Sequence, residues 1–388
     1  MKLKIQSLNI GIKNKKDDAV CFEIPRGSKT SIVSTKNKFA AAPIIFNKKN
    51  IKNIKPRYLF INSGNANACT GKEGYSNLKK YAKKLSGKLN CEDNEILFFS
   101  TGIIGEQLPI SKILNSIDKH KFPFNSSLSS ASRAIMTTDK FPKIVQKRIK
   151  ILDQEIKIQG ICKGAGMIEP NMATMLAFVF IDVSVNQRFL RKLLMDCISE
   201  TFNKISVDGD MSTNDSVVLV STGENNNIDM SKTINQNRLK RELLITFKDL
   251  SLMIIKDGEG ATKILEVDVK NALSPSQAKK LCYAIANSNL VKTAIYGEDP
   301  NWGRIIAKIG SVENIDFDVK KVKLYLNKIL VFKSGIATSD AKSSKLKKSM
   351  KQRNIIISLS LGAGEKGSSI ITADLTKKYV HINSAYTS

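Results

Sequence analysis

The sequence predicts an α/β protein built from layers of strands and helices, in a chain of 388 residues. Three observations support this class. Two short apolar segments, Tyr58–Ile61 and Ile96–Phe99, end in small polar residues, as strands of α/β proteins do where they carry functional groups. Apolar residues between Phe189 and Ile198 recur at helical spacing. Strand and helix patterns alternate in both halves of the chain, which indicates an α/β architecture.

Residues 1–110 are predicted to form strands joined by turns and short helices. The strand at Tyr58–Ile61 ends at a loop over residues 62–67, and the strand at Ile96–Phe99 ends at residues 100–102. Residues 174–182 form a third apolar strand. A helix follows, with Ser184 and Gln187 as a capping box. Its apolar face is predicted to contain Phe189, Leu190, Leu193, Leu194, Cys197 and Ile198.

The second half of the chain predicts two further helices and then mainly strands. One helix runs from about residue 237 to 256 and ends before Gly258. Another begins at Ser274, where a cap, a proline and Gln277 coincide. Strands dominate from about Val322, and residues 379–382 are predicted to form a terminal strand. The lysine-rich segment 342–353 is predicted to be a solvated helix or loop, and no internal repeat is evident.

The composition is that of a globular protein, with 42% hydrophobic and 25% charged residues. The longest apolar run, Met172–Phe180, is too short to span a bilayer, and the basic N-terminal segment lacks the apolar core of a signal peptide. We therefore expect a soluble cytoplasmic protein. Six cysteines occur without a Cys-x-x-Cys pair, which predicts reduced, mostly buried thiols and no metal site.

The formal net charge of +27 raises the alternative of a nucleic-acid-binding protein. Such proteins cluster their basic residues, favour arginine and interleave aromatic side chains. Here lysines are spread along the whole chain and aromatic residues make up only 6%. A lysine-rich surface is the better interpretation, and nucleic-acid binding remains a remote alternative.

Three further motifs do not support a function. Residues 362–367 match Gly-x-Gly-x-x-Gly, but strand-like residues follow instead of the helix that a dinucleotide site needs, so we expect a glycine-rich hairpin turn. Residues 208–215 resemble a calcium loop but lack its glycine and its terminal glutamate, which favours a hydrogen-bonded loop near an active site. Only His120 and His381 could serve as a histidine base, and both lie in contexts that make a His-dependent triad improbable.

The bond between Ala173 and Thr174 is a candidate for self-cleavage. A turn rich in glycine and proline precedes it, and an apolar strand begins at Thr174. Attack of the threonine hydroxyl on the Ala173 carbonyl, followed by an N→O acyl shift and hydrolysis, would free Thr174 as a new N-terminus. Its α-amine, with a pKa of about 7.7–8.0, could then deprotonate its own hydroxyl without histidine. A nearby Lys163 would lower the pKa of that amine. The local pattern also fits an ordinary threonine at a strand start.

Ordered sequence blocks resolve this choice, because they resemble the ornithine acetyltransferase family, also called glutamate N-acetyltransferases or bifunctional arginine-biosynthesis proteins. The resemblance is looser over the first sixty residues. The blocks are residues 62–71, 100–106, 136–139, 163–176, 208–215, 258–263, 297–304 and 383–388.

The resemblance implies roles for single residues of this chain. Thr174 matches the nucleophile released by cleavage after Ala173, and Thr101 and Gly102 match the pair that stabilises the oxyanion. Substrate-binding positions are matched by Thr137, Lys163, Thr174, Glu259, Asn383 and Ser388. The placement at Thr137 instead of Thr138 is open. Lys163 offers a cation to a carboxylate, and Glu259 an anion to an ammonium group.

The resemblance also implies an N-terminal-nucleophile type of active site and a ping-pong acetyl transfer from N2-acetyl-L-ornithine to L-glutamate, without a metal or organic cofactor. Cleavage would give an alpha fragment, 1–173, and a beta fragment, 174–388, with two copies of each in the assembly. Whether acetyl-CoA is also a donor stays open. The alternative is an N-terminal-nucleophile amidohydrolase or aminopeptidase of similar fold.

Overall fold

The computed structural model describes residues 3–51, 55–169, 175–225 and 228–385. Strands and helices alternate along these segments, as the sequence predicts. The strands are β1 (Lys4–Leu8), β2 (Ala19–Glu23), β3 (Lys29–Ser34), β4 (Tyr58–Asn65), β5 (Ile96–Ile103), β6 (Lys143–Ile151), β7 (Gln154–Lys163), β8 (Leu176–Val183), β9 (Ile205–Ser206), β10 (Ser216–Asn225), β11 (Ile264–Ala272), β12 (Lys323–Leu326), β13 (Ile329–Lys333), β14 (Ile336–Ala337), β15 (Asn354–Ser360) and β16 (Lys366–Ala373).

The helices are numbered in chain order in the same way. They are α1 (Ala42–Asn50), α2 (Gly71–Leu89), α3 (Ile110–Lys119), α4 (Leu128–Ala134), α5 (Gln187–Glu200), α6 (Thr233–Lys256), α7 (Pro275–Ala286), α8 (Asn289–Tyr296), α9 (Trp302–Gly310), α10 (Ser344–Ser349) and α11 (Lys377–Ala385). No helix within the described segments is long and apolar enough to cross a membrane. The chain divides into two compact units, one mainly from residues 1–203 and 210–254, the other from residues 204–209 and 255–386.

The first unit contains two sheets packed face to face. One sheet has the order β1-β2-β4-β5 and the other the order β3-β10-β8-β7-β6. Apolar side chains of both sheets, among them Phe22, Phe99 and Phe178, form the core between them. Helices α1, α2 and α3 share a second core with the outer face of the first sheet. Helix α6 covers the outer face of the second sheet, where Leu250 packs over Gly160. These layers confirm the predicted α/β class.

Strands β4 and β5 are parallel neighbours, and their carboxyl ends therefore lie side by side. Ser63 pairs with Thr101, and Gly64 pairs with Gly102. The Ser100 hydroxyl donates a hydrogen bond of 2.6 Å to Oδ1 of Asn62, which joins the two strand ends below that point. The two polar strand ends predicted from the sequence thus come together at one edge of the first sheet.

The second unit is a seven-stranded sheet with the order β14-β13-β12-β15-β11-β16-β9. Helices α7, α8, α9 and α10 contribute apolar residues to a core cluster on this sheet. Ser274 caps α7 as predicted, because its hydroxyl accepts a hydrogen bond from the backbone N–H of Gln277. In the lysine-rich segment 342–353, the lysines are exposed while Leu346 and Met350 are buried in that core. This segment is therefore a short docked helix followed by a turn.

Three predictions of local structure are wrong. Residues 379–382 belong to helix α11, not to a strand, because the Thr376 hydroxyl accepts the backbone N–H of Tyr379 and so starts a helix. The helix after β8 is capped by Asn186, not by Ser184. The glycine-rich turn after β15 is not a hairpin, because β11 lies between β15 and β16 in the sheet.

The prediction of mostly buried, unpaired thiols is confirmed. All six are free, and four of them are buried. Cys69 is exposed and Cys91 is half-buried. Among the described residues, no group of three or more His, Cys, Asp or Glu side chains is arranged to hold a metal ion.

Candidate active site

Lys163 is the centre of a polar cluster in the first unit. It is the last residue of β7 and is paired with Leu176, the first residue of β8. Its ammonium group donates hydrogen bonds to the hydroxyl oxygens of Thr101, at 3.1 Å, and Thr137, at 2.7 Å. The structure therefore brings together three of the residues singled out in the sequence, from three separate segments. Of the two candidate threonines, Thr137 has the hydroxyl that contacts Lys163.

Asp139 stabilises this cluster through its buried carboxylate. Its carboxylate accepts the backbone N–H of Thr137 at 3.0 Å and that of Gly164 at 2.8 Å. It also forms an ion pair of 2.6 Å with Lys143, and both side chains are 0% exposed. The Lys163 ammonium lies 4.0 Å from the other carboxylate oxygen. Burial alone would raise the pKa of Asp139, but the charges of Lys163 and Lys143 outweigh it and lower the pKa to about 2.

Lys13 lies on the other side of the Thr137 segment. Its ammonium donates to the Ser63 hydroxyl at 2.5 Å and to the Met136 carbonyl at 2.6 Å. It therefore ties the end of β4 to the backbone just before Thr137. Burial lowers the pKa of Lys13 to about 8, with Asp18 opposing and Lys163 reinforcing this shift.

Gly102 sits where only glycine fits. Its φ is +132°, and an added Cβ would lie 2.3 Å from the Gly64 carbonyl carbon. A side chain there would collide with the neighbouring backbone and force an unfavourable conformation. The residue preceding it, Thr101, accepts a hydrogen bond from Lys163, and a hydroxyl keeps its own hydrogen to donate. The Thr101 hydroxyl and the Gly102 N–H are thus the donor types that can stabilise one oxyanion.

The loop formed by residues 210–215 supports the same strand end. The Asn214 side-chain amide donates to the Ser100 carbonyl at 2.9 Å and to the Ala66 carbonyl at 2.6 Å. The backbone N–H of Glu169 donates to the Asp210 carbonyl at 2.9 Å. This agrees with the expectation of a hydrogen-bonded loop near the site.

Ala173 and Thr174 lie outside the described residues, so their predicted cleavage and catalysis stay predictions. The described residues on each side of them have defined partners. Ile168 forms an isolated bridge with Met211, and the Met175 carbonyl accepts the backbone N–H of Ser216 at 2.9 Å. The predicted strand after Thr174 is confirmed as β8, from Leu176 onward.

Two other predicted site residues are in contact in the second unit. The Asn383 side-chain amide on α11 donates to the Glu259 carboxylate at 2.9 Å, and Glu259 is buried. The Gly260 backbone packs against α11 so tightly that an added Cβ would lie 2.4 Å from the Tyr379 nitrogen. The turn at 258–260 therefore fixes the Glu259 carboxylate beside α11. Ser388 lies outside the described residues.

Sequence reasoning missed three residues that hold the first cluster, namely Lys13, Asp139 and Lys143. Asp139 ends one of the blocks that carry the family resemblance, and this was the one available signal. Lys143 and Lys13 lie in lysine-rich segments of the kind expected on a solvated surface. Nothing in their local pattern distinguishes them from the exposed lysines around them.

The comparisons with known proteins agree with this arrangement. The family model of the ArgJ family matches residues 4–388. The arginine biosynthesis bifunctional protein ArgJ of Caldanaerobacter subterraneus subsp. tengcongensis is 41% identical over 382 residues, which cover 97% of this chain and 94% of that protein. The ArgJ protein of Lactococcus lactis is 39% identical over 387 residues, covering 100% and 94%.

A solved structure is also similar. The crystal structure of the arginine biosynthesis bifunctional protein ArgJ from Bacillus halodurans aligns with a TM-score of 0.50 and 35% identity, and it covers 55% of this chain and 100% of that one. The family match over almost the whole chain and the identity with full-length relatives lead to one conclusion: this chain belongs to the ArgJ family.

Proposed function

We propose that this chain is a glutamate N-acetyltransferase that transfers acetyl from N2-acetyl-L-ornithine to L-glutamate through an acetyl ester on Thr174. The products are L-ornithine and N-acetyl-L-glutamate, as required in arginine biosynthesis. The observation that carries the proposal is the Lys163 cluster. Lys163 contacts Thr101 and Thr137, and it pairs with Leu176, which follows Thr174 by two residues in the chain.

Self-cleavage is the first step. The Thr174 hydroxyl attacks the Ala173 carbonyl, the acyl group shifts from nitrogen to oxygen, and water hydrolyses the ester. This frees the Thr174 α-amine, which is partly neutral near pH 7 because its ordinary pKa is about 7.7–8.0. The Lys163 ammonium, close in the strand register, favours the neutral amine by like-charge repulsion.

Acetyl transfer then proceeds in two halves. The Thr174 hydroxyl attacks the acetyl carbonyl of N2-acetyl-L-ornithine while its own amine accepts the proton. The hydroxyl of Thr101 and the backbone N–H of Gly102 stabilise the tetrahedral oxyanion, and ornithine leaves. The glutamate amine attacks the acetyl ester in the second half and regenerates the free hydroxyl. This is the N-terminal-nucleophile mechanism that the absence of a suitable histidine favours.

Charged groups in each unit suit amino-acid substrates. In the first unit, Lys163 and Thr137 provide a cation and a hydroxyl for an α-carboxylate. In the second unit, Glu259, held by Asn383, is a buried anion, and the family resemblance assigns it to substrate binding. Ser388 is assigned to substrate binding by the resemblance. No metal or organic cofactor takes part, and acetyl-CoA is a second donor if the chain is bifunctional.

We further propose that the fragments 1–173 and 174–388 stay associated, with two copies of each in a cytoplasmic heterotetramer. Strand β7 of the first fragment is hydrogen-bonded to β8 of the second over six residue pairs, Ile158–Lys163 with Leu176–Ile181. A central strand pairing of this kind supports continued association after the cut.

Mass spectrometry of the purified chain tests the proposal. We expect two fragments and, after exposure to N2-acetyl-L-ornithine without glutamate, a Thr174 peptide heavier by one acetyl group. Thr174→Ala should give an intact, inactive chain, and Thr138→Ala is the matched control that should still cleave. A fully intact chain with transferase activity would overturn the proposal. Ornithine release that is equally fast without glutamate would instead indicate an amidohydrolase.

A further inference from the structure

Helix α11 of the second unit carries Asn383, whose side-chain amide contacts the Glu259 carboxylate. No residue of this helix between Lys377 and Ala385, all of which the structure describes, is fully buried. Helices in proteins are usually held in place by the burial of an apolar face. The position of α11, and with it the position of the Asn383–Glu259 pair, therefore depends on individual polar contacts.

Two side chains hold the first turn of α11. The Thr376 hydroxyl, which accepts the backbone N–H of Tyr379, donates to the Gly260 carbonyl at 2.9 Å. The Tyr379 hydroxyl donates to the Asp208 carboxylate at 3.4 Å. Tyr379 and Asn383 are four residues apart and therefore lie on the same face of the helix. A shift of Tyr379 would accordingly move Asn383 with it.

Lys292 on α8 connects the two chain segments next to these contacts. Its ammonium group donates a hydrogen bond to the carbonyl of Val207, the residue before Asp208. Its own backbone carbonyl accepts the N–H of Leu375, two residues before α11, at 3.5 Å. One residue thus fixes both the backbone beside the acceptor of the Tyr379 hydroxyl and the backbone from which α11 begins.

The turn that carries Glu259 is fixed by the same segment. The Asp374 carboxylate accepts the backbone N–H of Thr262 at 2.8 Å and that of Lys263 at 3.0 Å. Both residues follow Glu259 closely in the chain, and Asp374 directly precedes Leu375. A displacement of this segment would therefore move Glu259 as well as α11.

The burial of Lys292 is costly. The side chain is 3% exposed, and burial lowers its pKa to about 8, although the charges of Asp208 and Asp374 oppose this shift. The hydrogen bond to the Val207 carbonyl offsets only part of the free energy needed to take an ammonium group out of water. An apolar side chain of similar length would occupy the same space at lower cost. A role of Lys292 in positioning is therefore favoured over a role in stability alone.

We propose that Lys292 is a positioning residue for the Asn383–Glu259 pair. By fixing Val207 and Leu375, it keeps α11 and the Glu259 carboxylate in the geometry that selects a substrate with a side-chain ammonium group. The inference rests on the proposed function and on the expectation that Glu259 offers its anion to an ammonium group. Lys292 itself contacts no reacting atom, so it affects the selection of the donor and not self-cleavage.

A comparison of two acetyl donors tests the proposal. N2-acetyl-L-norvaline has the carbon chain of N2-acetyl-L-ornithine but lacks its side-chain ammonium group. In Lys292→Met and in Tyr379→Phe, the ratio of kcat/KM for the ornithine donor to kcat/KM for the norvaline donor should fall about fivefold or more. The fall should come mainly from a higher KM for the ornithine donor. Glu259→Gln removes the carboxylate charge itself and should give the largest loss of discrimination.

Lys280→Met and Tyr325→Phe are the matched controls. Lys280 is exposed on α7 of the same unit, and Tyr325 is half-buried on β12 of the same sheet. Both variants should keep the ratio within about twofold of that of the unmodified protein. The double variant Lys292→Met/Tyr379→Phe should lose no more discrimination than the more affected single variant, because both changes act through the same helix.

Hydrogen exchange followed by mass spectrometry measures the effect on α11 directly. The backbone amides of residues 377–385 should exchange faster in Lys292→Met and in Tyr379→Phe than in the unmodified protein and the two controls. Cleavage of the Ala173–Thr174 bond should proceed to the same extent in all of these proteins.

The outcomes separate the two proposals. Unchanged discrimination or unchanged exchange of the α11 amides in Lys292→Met and Tyr379→Phe overturns the positioning role and leaves the proposed function intact. Equal loss of kcat/KM with both donors also overturns it, because a purely structural role affects both donors alike. Absence of transfer from N2-acetyl-L-ornithine in the unmodified protein overturns the proposed function instead.

Discussion

Replacing Asp139 by asparagine removes the negative charge of the buried ion pair between Asp139 and Lys143 at the candidate site. Lys143 then keeps its ammonium at 0% exposure with its 2.6 Å partner neutralised. The asparagine has nearly the same shape, but its single amide oxygen can accept only one of the two backbone N–H groups, because Thr137 and Gly164 bind different oxygens of Asp139. The change therefore removes the charge and one backbone hydrogen bond while it leaves the packing volume unchanged.

The size of the effect follows from two estimates. Removing one partner of a buried ion pair costs roughly 3–5 kcal/mol. A pKa of Asp139 lowered from 3.8 to about 2 corresponds to roughly 2–3 kcal/mol between its charged and neutral forms. We expect Asp139→Asn to lower the free energy of unfolding by about 3 kcal/mol, which is a Tm decrease of roughly 10 °C for a unit of this size.

Calorimetry of three further variants tests the reasoning. Asp139→Asn/Lys143→Met removes both charges and should recover the part of the lost stability that comes from the unpaired Lys143 ammonium. Asp249→Asn breaks the more exposed ion pair with Lys147, also at 2.6 Å, and should cost less than about 1 kcal/mol. The reasoning is refuted if Asp139→Asn costs no more than Asp249→Asn, or if the double variant is no more stable than Asp139→Asn.

The same group predicts a pH dependence. The pKa of Asp139 is about 2 in the folded state and about 3.9 in an unfolded chain. Its contribution to stability is therefore complete above pH ~3.9 and is lost as the pH falls toward 2. The difference in unfolding free energy between the unmodified protein and Asp139→Asn should shrink over this interval, as measured by urea unfolding.

Three other changes test separate features of the site. Gly102→Ala should abolish transfer and destabilise the fold, because its Cβ would lie 2.3 Å from neighbouring backbone, while Gly87→Ala in an exposed, open position of α2 should be neutral or stabilising in the same assays. Lys13→Met should abolish a rise in unfolding free energy between pH 8 and 10, because a folded pKa of about 8 below an unfolded value near 10.4 makes folding release a proton there, whereas Lys16→Met should keep that rise. Glu259→Gln should raise the KM for N2-acetyl-L-ornithine about tenfold with little change in Tm, and an unchanged KM would contradict its assigned role.

The fold class was predictable because its signals are local. The apolar segments at Tyr58 and Ile96 are strands, and the polar residues after them do meet at one sheet edge. The cap at Ser274 was found because its hydroxyl bonds a backbone N–H only three residues away. Patterns of this kind involve residues that are close together in the chain, so they can be recognised in a single sequence.

The wrong predictions have a common cause in weak local signals. Around His381 the apolar residues alternate as in a strand, yet Val380 is 61% exposed, so the alternation does not reflect burial. The decisive contact is the hydroxyl of Thr376, three residues before Tyr379, which starts the helix. Similarly, no local pattern reveals that β11 lies between β15 and β16, because strand order in a sheet depends on distant segments.

The candidate site was predictable only for residues that lie in the blocks that carry the family resemblance. Lys13 lies outside these blocks and shows why the other residues could not be predicted. Its segment contains several lysines and reads as solvated surface, but Asp18 accepts the backbone N–H groups of Ile10, Ile12 and Lys13 at 2.6–2.8 Å. This carboxylate folds the segment into a tight loop that directs Lys13 to Met136, 123 residues away. Which lysine of such a segment becomes buried is decided by its distant acceptors, since the ammonium needs hydrogen-bond partners to leave water. Lys13, which connects the end of β4 with the backbone before Thr137, is therefore identified by the fold and not by its sequence neighbours.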